Sequence, residues 1–234
     1  MGNEEFVNNV IYNSAIKEEI KWRKKKANHL SVSLLDEMLY KINKLGYDYK
    51  YLVDLTNREN RDFELCAIVQ EFIPRFIDKS IVSELVGVIG IKGFYEGTET
   101  IIQQFNELTD MEKKQEAPTY DNALERIGDR RYIGEYIKML ANPDDAVKLS
   151  LTMIMLGKWE VTEAKPLFFS YLNATLLYLN DKTSDLVFTA LAALSYYQDP
   201  DGTIKKAIEE KLQSDDKDVV SAAKKALKRL KRNS

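Results

Sequence analysis

The chain has 234 residues, 44% of them hydrophobic and 30% charged, with a formal net charge of -3. That composition supplies a sizeable core under an ordinary solvated surface, and the charge excludes a surface built as a whole to neutralise phosphates, leaving only a local basic patch open. Ten glycines and five prolines are too few for the turns of a β-sandwich or barrel, which favours helices. The single cysteine, Cys66, excludes an intramolecular disulfide and a cysteine metal cage.

Residues 1–10 lack the apolar run of a secretory leader. The longest apolar stretches, residues 85–91 and 186–194, fall well short of the roughly 20 residues that cross a bilayer. The expectation is a cytoplasmic protein with no membrane contact.

Two helices are predicted in the first forty-five residues. In the first, Phe6, Val10, Ile11 and Ala15 recur at helical spacing, followed by Ile16, Ile20 and the basic run Lys21, Trp22, Arg23, Lys24, Lys25, Lys26. Ser31 or Ser33 is the expected N-cap of the second, whose stripe is Leu34, Leu35, Met38, Leu39 and Ile42, with Gly46 as its stop. From Tyr49 onward short helices alternate with tight polar turns: residues 57–60 break the chain before a helix at 63–72, and residues 78–80 open another at 81–89. The stretch 109–119, TDMEKKQEAPT, is polar, contains a proline and has no periodicity, so it is predicted to be a linker. It separates degenerate helix pairs in 1–108 from a regular part, 120–234, in one continuous array.

The regular part repeats. Asn142-Pro143-Asp144-Asp145 precedes an apolar helix at 146–156, and Ser214-Asp215-Asp216-Lys217-Asp218 precedes one at 219–230. The valines that open them, Val147 and Val219, are 72 residues apart, two units of about 36. Helix 146–156 carries two apolar stripes, Val147, Leu151 and Ile154 on one and Leu149, Met153 and Leu156 on the other. A helix apolar on two faces is expected to be sandwiched between neighbours. Helix 219–230 has Val219, Ala223, Ala226, Leu227 and Leu230 on one face and lysines on the rest, the pattern of a terminal cap.

The run Leu124-Glu125-x-Ile127-Gly128-Asp129-x-x-x-Ile133, then Leu140-Ala141-Asn142-Pro143-Asp144, then a helix rich in small and apolar residues, resembles a HEAT-like repeat, closest to the short bacterial variety first noted in phycobilisome lyases. Residues 157–167 and 76–85 are weaker copies. The resemblance is good over 119–234 and loose over 50–108. It implies an all-α, right-handed α-α superhelix, a HEAT/ARM-like solenoid of stacked antiparallel helix pairs, whose second helices form a concave wall. The function this implies is a non-catalytic scaffold binding another protein on that wall. Candidate contact residues are Lys148, Ser150, Thr152, Thr189, Ser195 and Tyr196, with Trp159 nearby.

No catalytic constellation emerges. His29, the one histidine, has no local nucleophile or orienting acid, and Cys66 lies in an apolar stretch as a core thiol would. Asp144-Asp145 and Asp215-Asp216-x-Asp218 precede helices, where carboxylates cap free amides more readily than they hold a metal. Gly87, Gly90 and Gly93 lack dinucleotide or P-loop spacing and are expected to permit close helix packing or to break the helix. No cofactor or metal is expected.

The alternative is a nucleic-acid binder. Lys21, Arg23, Lys24, Lys25 and Lys26 surround Trp22, and residues 203–234 hold ten Lys or Arg against five Asp or Glu. Such clusters follow a phosphate backbone while Trp22 or Trp159 stacks on a base. One bacterial family of alkylpurine DNA glycosylases is also built of HEAT-like repeats, but no motif here maps its site onto this chain. The preferred expectation for these lysines is a solvated helix face.

Overall fold

A computed structural model of the chain describes residues 3–25, 30–56, 62–173 and 183–233, and side chains from Ile11 onward except those of Thr183, Ser184 and Asn233. Lys26 and His29 lie outside the described residues. Thirteen α-helices and no strand occur among those described. They are α1 (Asn3–Lys25), α2 (Leu30–Asn43), α3 (Phe63–Phe72), α4 (Lys79–Ile89), α5 (Gly97–Asn106), α6 (Asp110–Ile127) and α7 (Ile133–Leu140). After them come α8 (Pro143–Ala146), α9 (Ser150–Lys158), α10 (Lys165–Asn173), α11 (Thr183–Leu194), α12 (Thr203–Glu210) and α13 (Lys217–Asn233). No described helix is long and apolar enough to cross a membrane.

The helices pack in two rows. In one row α4, α6, α9, α11 and α13 each contact the next. In the other, α3, α5, α10 and α12 each pack on the helix that follows them, and α7 reaches α9 past the short α8. At the N-terminal end α2 packs on α3, and α1 on the 3-10 turn Leu52–Thr56. The core between the rows is closed by large fully buried side chains, among them Phe72, Phe105, Tyr120, Tyr136 and Phe168.

Local chemistry places the helix ends. The Asp78 side chain accepts from the Ser80 N–H to open α4, and Asn142 accepts from the Asp144 N–H to open α8. Asp216 accepts from the Asp218 and Val219 N–H groups at the start of α13. Gly128, at φ 63°, closes α6 in the left-handed region, its N–H donating to the Leu124 carbonyl. Ser31 and Ser33, the expected caps, both lie within the described span of α2, and Ser31 is buried.

Residues 109–119 are not a linker. They cap and begin α6, because Thr109 and Glu112 form a reciprocal capping box. Lys113 secures the first turn: its ammonium lies 2.8 Å from the Asp145 carboxylate and 4.7 Å from the centre of the Phe105 ring. Pro118 is accommodated within the helix. The backbone bond it cannot make would go to the carbonyl four residues back, that of Lys114, an exposed residue.

Glycine matters where rows of helices touch. A Cβ on Gly90 would lie 2.6 Å from the Ala123 Cβ, and one on Gly157 would lie 2.5 Å from the Ala193 carbonyl oxygen. These positions bring α4 against α6 and α9 against α11. Gly134, in α7, is different, since nothing lies within 4 Å of an added Cβ. Gly134→Ala is therefore expected to raise stability by about 0.5–1 kcal/mol in urea unfolding, through helix propensity alone.

Candidate functional site

Each helix of the α4–α6–α9–α11–α13 row packs on its row neighbours and on the other row, and each keeps a stripe that reaches solvent. On α4 that stripe is Ser80, Glu84 and Gly87, and on α6 it includes Thr119, Asn122 and Arg126. On α9 it is Leu151, Ile154 and Lys158, and on α11 Asp185, Phe188, Thr189 and Ala192. On α13 it is strongly basic: Lys224, Lys225, Lys228, Lys231 and Arg232 are all exposed.

The two apolar stripes of the α9 segment thus have different fates. Leu149, Met153 and Leu156 are fully buried, whereas Leu151 and Ile154 are half-buried and reach solvent. The sandwich expected for both stripes forms for one only. The segment is also broken, since α8 stops at Ala146 and α9 starts at Ser150. Phe188, also half-buried, is on α11, which packs on α9. Along the row, the solvent-reaching stripes are thus polar on α4 and α6, largely apolar on α9 and α11, and cationic on α13.

The residues singled out from sequence do not form one surface. Thr152 is fully buried, and its N–H and hydroxyl donate to Asp121 at 2.8 and 2.7 Å. Ser195 is likewise buried. Lys148, with 13% of its side chain exposed, pairs with Asp145 at 3.6 Å instead of facing a partner. Thr189 is on the wall, its hydroxyl donating to the Asp185 carbonyl at 2.9 Å. Tyr196 is half-buried under the Arg229 guanidinium, 4.5 Å from the ring centre. Trp159 is at the turn after α9, with Arg130 5.0 Å over its ring.

The N-terminal basic patch is smaller than its sequence. Arg23 turns inward, its Nε donating to Glu19 at 2.8 Å and its other nitrogens to Asp36 and the Lys50 carbonyl. Lys21, Lys24 and Lys25 are the exposed cations of that run among the described residues, Lys21 lying 3.6 Å from an equally exposed Glu18.

The perturbed carboxylate between α6 and α9 is structural. Asp121, on α6, is 3% exposed and accepts from the Leu151 N–H, the Thr152 N–H and the Thr152 hydroxyl. Burial pushes its pKa up to about 6, against these three donors, which pull it down. It caps α9 from the neighbouring helix and so orients the stripe that carries Leu151 and Ile154. Cys66 is also buried, its thiol 3.8 Å from the Val88 carbonyl. No three His, Cys, Asp or Glu side chains converge as metal ligands would among the described residues.

Sequence reasoning missed a series of arginine–aromatic pairs on successive inter-helix turns. Arg131 lies over Tyr95 and Arg130 over Trp159, at 5.6 and 5.0 Å. Their signal was legible as Gly-x-aromatic or Gly-x-Arg recurring after α4, α6 and within the end of α9. No protein-family profile, curated sequence or solved structure matches the chain.

Proposed function

We propose that the chain is a non-catalytic scaffold of HEAT-like helix pairs, wound as a right-handed α-α superhelix, that binds another protein along the wall of its inner helices. The observation that carries this is the apolar centre of the wall, Leu151, Ile154 and Phe188, left half-exposed between polar and charged flanks. A desolvated centre with a polar rim is the anatomy of a protein interface. The packing order also supports the superhelix, because each inner helix contacts its successor and its own outer partner, as stacked helix pairs do.

The test compares the wild-type chain with the double variant Leu151→Glu, Ile154→Glu. Both side chains reach solvent, so the variant is expected to keep its helical spectrum and to unfold within about 1 kcal/mol of wild type. Affinity capture from the source cell should recover a protein that the double variant no longer retains. Equal recovery by both would remove the wall from consideration.

A second reading rests on α13, which holds seven Lys or Arg against one Asp. If it tracks phosphates, duplex DNA should bind with an affinity that falls by orders of magnitude between roughly 50 and 200 mM salt. Lys224→Gln with Lys228→Gln should flatten that slope by about two. The scaffold reading expects neither effect, with these lysines as a solvated end face.

A further inference from the structure

Where α1, α2 and α4 meet, a cleft of about 350 Å³ opens beside the wall. Its sides are apolar: Leu35 and Ile81 are buried core residues, and Val53 and Trp22 are half-buried. Glu84 stands at its mouth, on the α4 stripe that begins the inner wall.

The carboxylates around this cleft differ in what they already bind. Both Glu19 oxygens are committed, one to the Arg23 Nε and the other to the Leu52 N–H, each at 2.8 Å. Glu18 points outward, with 72% of its side chain exposed, and meets Lys21 loosely. Asp78 is the cap of α4. Glu84 forms no ion pair and accepts no hydrogen bond among the described residues. Its charged neighbours are Glu19, Glu116 and Asp78, all acidic, and crowding by the cleft walls together with these charges holds its carboxyl above the usual range. None of the described residues that line the cleft is basic, and Arg23 beside it is turned toward Asp36 and the Lys50 carbonyl.

We propose that this cleft receives a basic side chain, lysine or arginine, of a partner protein, with the alkyl stem against Val53 and the edge of Ile81, the cation near the Trp22 ring, and Glu84 as its counter-ion. Each part of the cleft matches one part of such a side chain. Long basic side chains bury their methylenes on apolar surface while the head stays polar, an indole face attracts a cation, and an uncompensated carboxylate supplies the charge. A neutral apolar side chain would leave Glu84 unanswered, and an acidic one would be repelled by Glu84, Glu19 and Glu116. The assignment to a partner protein rests on the scaffold reading, while occupation of the cleft by a cationic group is measurable without it.

The test uses the indole N–H signals of the full-length protein in nitrogen-15 correlation spectra. Trp22 and Trp159 are the two tryptophans, and Trp159→Phe assigns which signal is which. Nα-acetyl-lysine amide, Nα-acetyl-arginine amide and the uncharged Nα-acetyl-norleucine amide are titrated at constant ionic strength. The Trp22 signal is expected to move along a saturating curve with a cationic probe, at the roughly millimolar concentrations that one such contact supports. It should stay in place with the norleucine probe. Glu84→Gln should weaken the response at least about tenfold while the rest of the spectrum is retained. Absence of movement, equal movement with norleucine, or an undiminished response in Glu84→Gln overturns the proposal. A parallel titration sets spermidine against a tetralysine peptide. Tighter saturation by the peptide supports a protein ligand, and tighter saturation by spermidine reassigns the cleft to a free polyamine and overturns the partner-protein assignment.

Discussion

Asp121→Ala is expected to lower stability by about 3–5 kcal/mol, read as a shift of the urea midpoint with an unchanged slope. The carboxylate is 3% exposed and serves three donors at once, the N–H groups of Leu151 and Thr152 and the Thr152 hydroxyl. Alanine leaves all three without an acceptor beneath two packed helices, and each such group costs about 1–3 kcal/mol. Asp121→Asn is the graded control. Its one carbonyl oxygen still serves Thr152, but its amide nitrogen opposes the Leu151 N–H, for an expected loss of about 1–3 kcal/mol.

The same residue has a pH signature. Its folded pKa is pushed up to about 6, above an unfolded value of about 4, so between those values the folded chain holds a proton that the unfolded chain releases. Its contribution is therefore greatest below about pH 4 and is lost as pH rises through about 6, an effect of roughly 3 kcal/mol. The stability gap between wild type and Asp121→Ala should narrow from about pH 4.5 to about pH 7. A gap that widens over that range would show that the three donors outweigh burial.

Gly157→Ala is expected to cost about 3 kcal/mol, a fall of roughly 6–12 °C in Tm for a chain of this size. The added Cβ would stand 2.5 Å from the Ala193 carbonyl oxygen and 2.7 Å from the Ala193 Cα. Both are backbone atoms, so no rotamer change relieves the clash and α9 must separate from α11. Because α11 also packs on α10 and α13, the separation loosens the last two helix pairs as well. Gly90→Ala repeats the argument at α4 and α6, with the Ala123 Cβ 2.6 Å away. Gly134→Ala, which meets nothing, is the matched opposite; a loss of stability there would show that the cost comes from the α-carbon substitution itself rather than from helix approach.

Helical class and the positions of most turns were legible without coordinates, because they depend on neighbours within four residues. Asp216 caps the helix it precedes and the stripe Leu149, Met153, Leu156 is buried, whereas Asp144 and Asp145, expected as caps, lie inside α8, which Asn142 caps, and Asp145 pairs with Lys113 and Lys148. What was misread depends on groups brought from far along the chain. Residues 109–119 are the exception, because their helix start is local, the capping box of Thr109 and Glu112, and only the hold of Asp145 and Phe105 on Lys113 comes from afar. Arg23 counts as a surface cation until Asp36 and the Lys50 carbonyl converge on it, and Thr152 counts as a contact residue until Asp121, on another helix, takes its hydroxyl.

The candidate site follows the same division. A hydropathy pattern says that a helix has two apolar stripes, and those of the α9 segment are about equally apolar. It cannot say which of them the neighbouring helices will cover, since that depends on the approach that Gly157 allows to Ala193 and on the cap that Asp121 supplies. Residue order thus dictates helices, caps and the amount of surface to be buried. The packing of α6 and α11 around α9 decides that Leu151 and Ile154 are the part left half-exposed, because burial is settled by contacts between segments and not by the apolarity of either one.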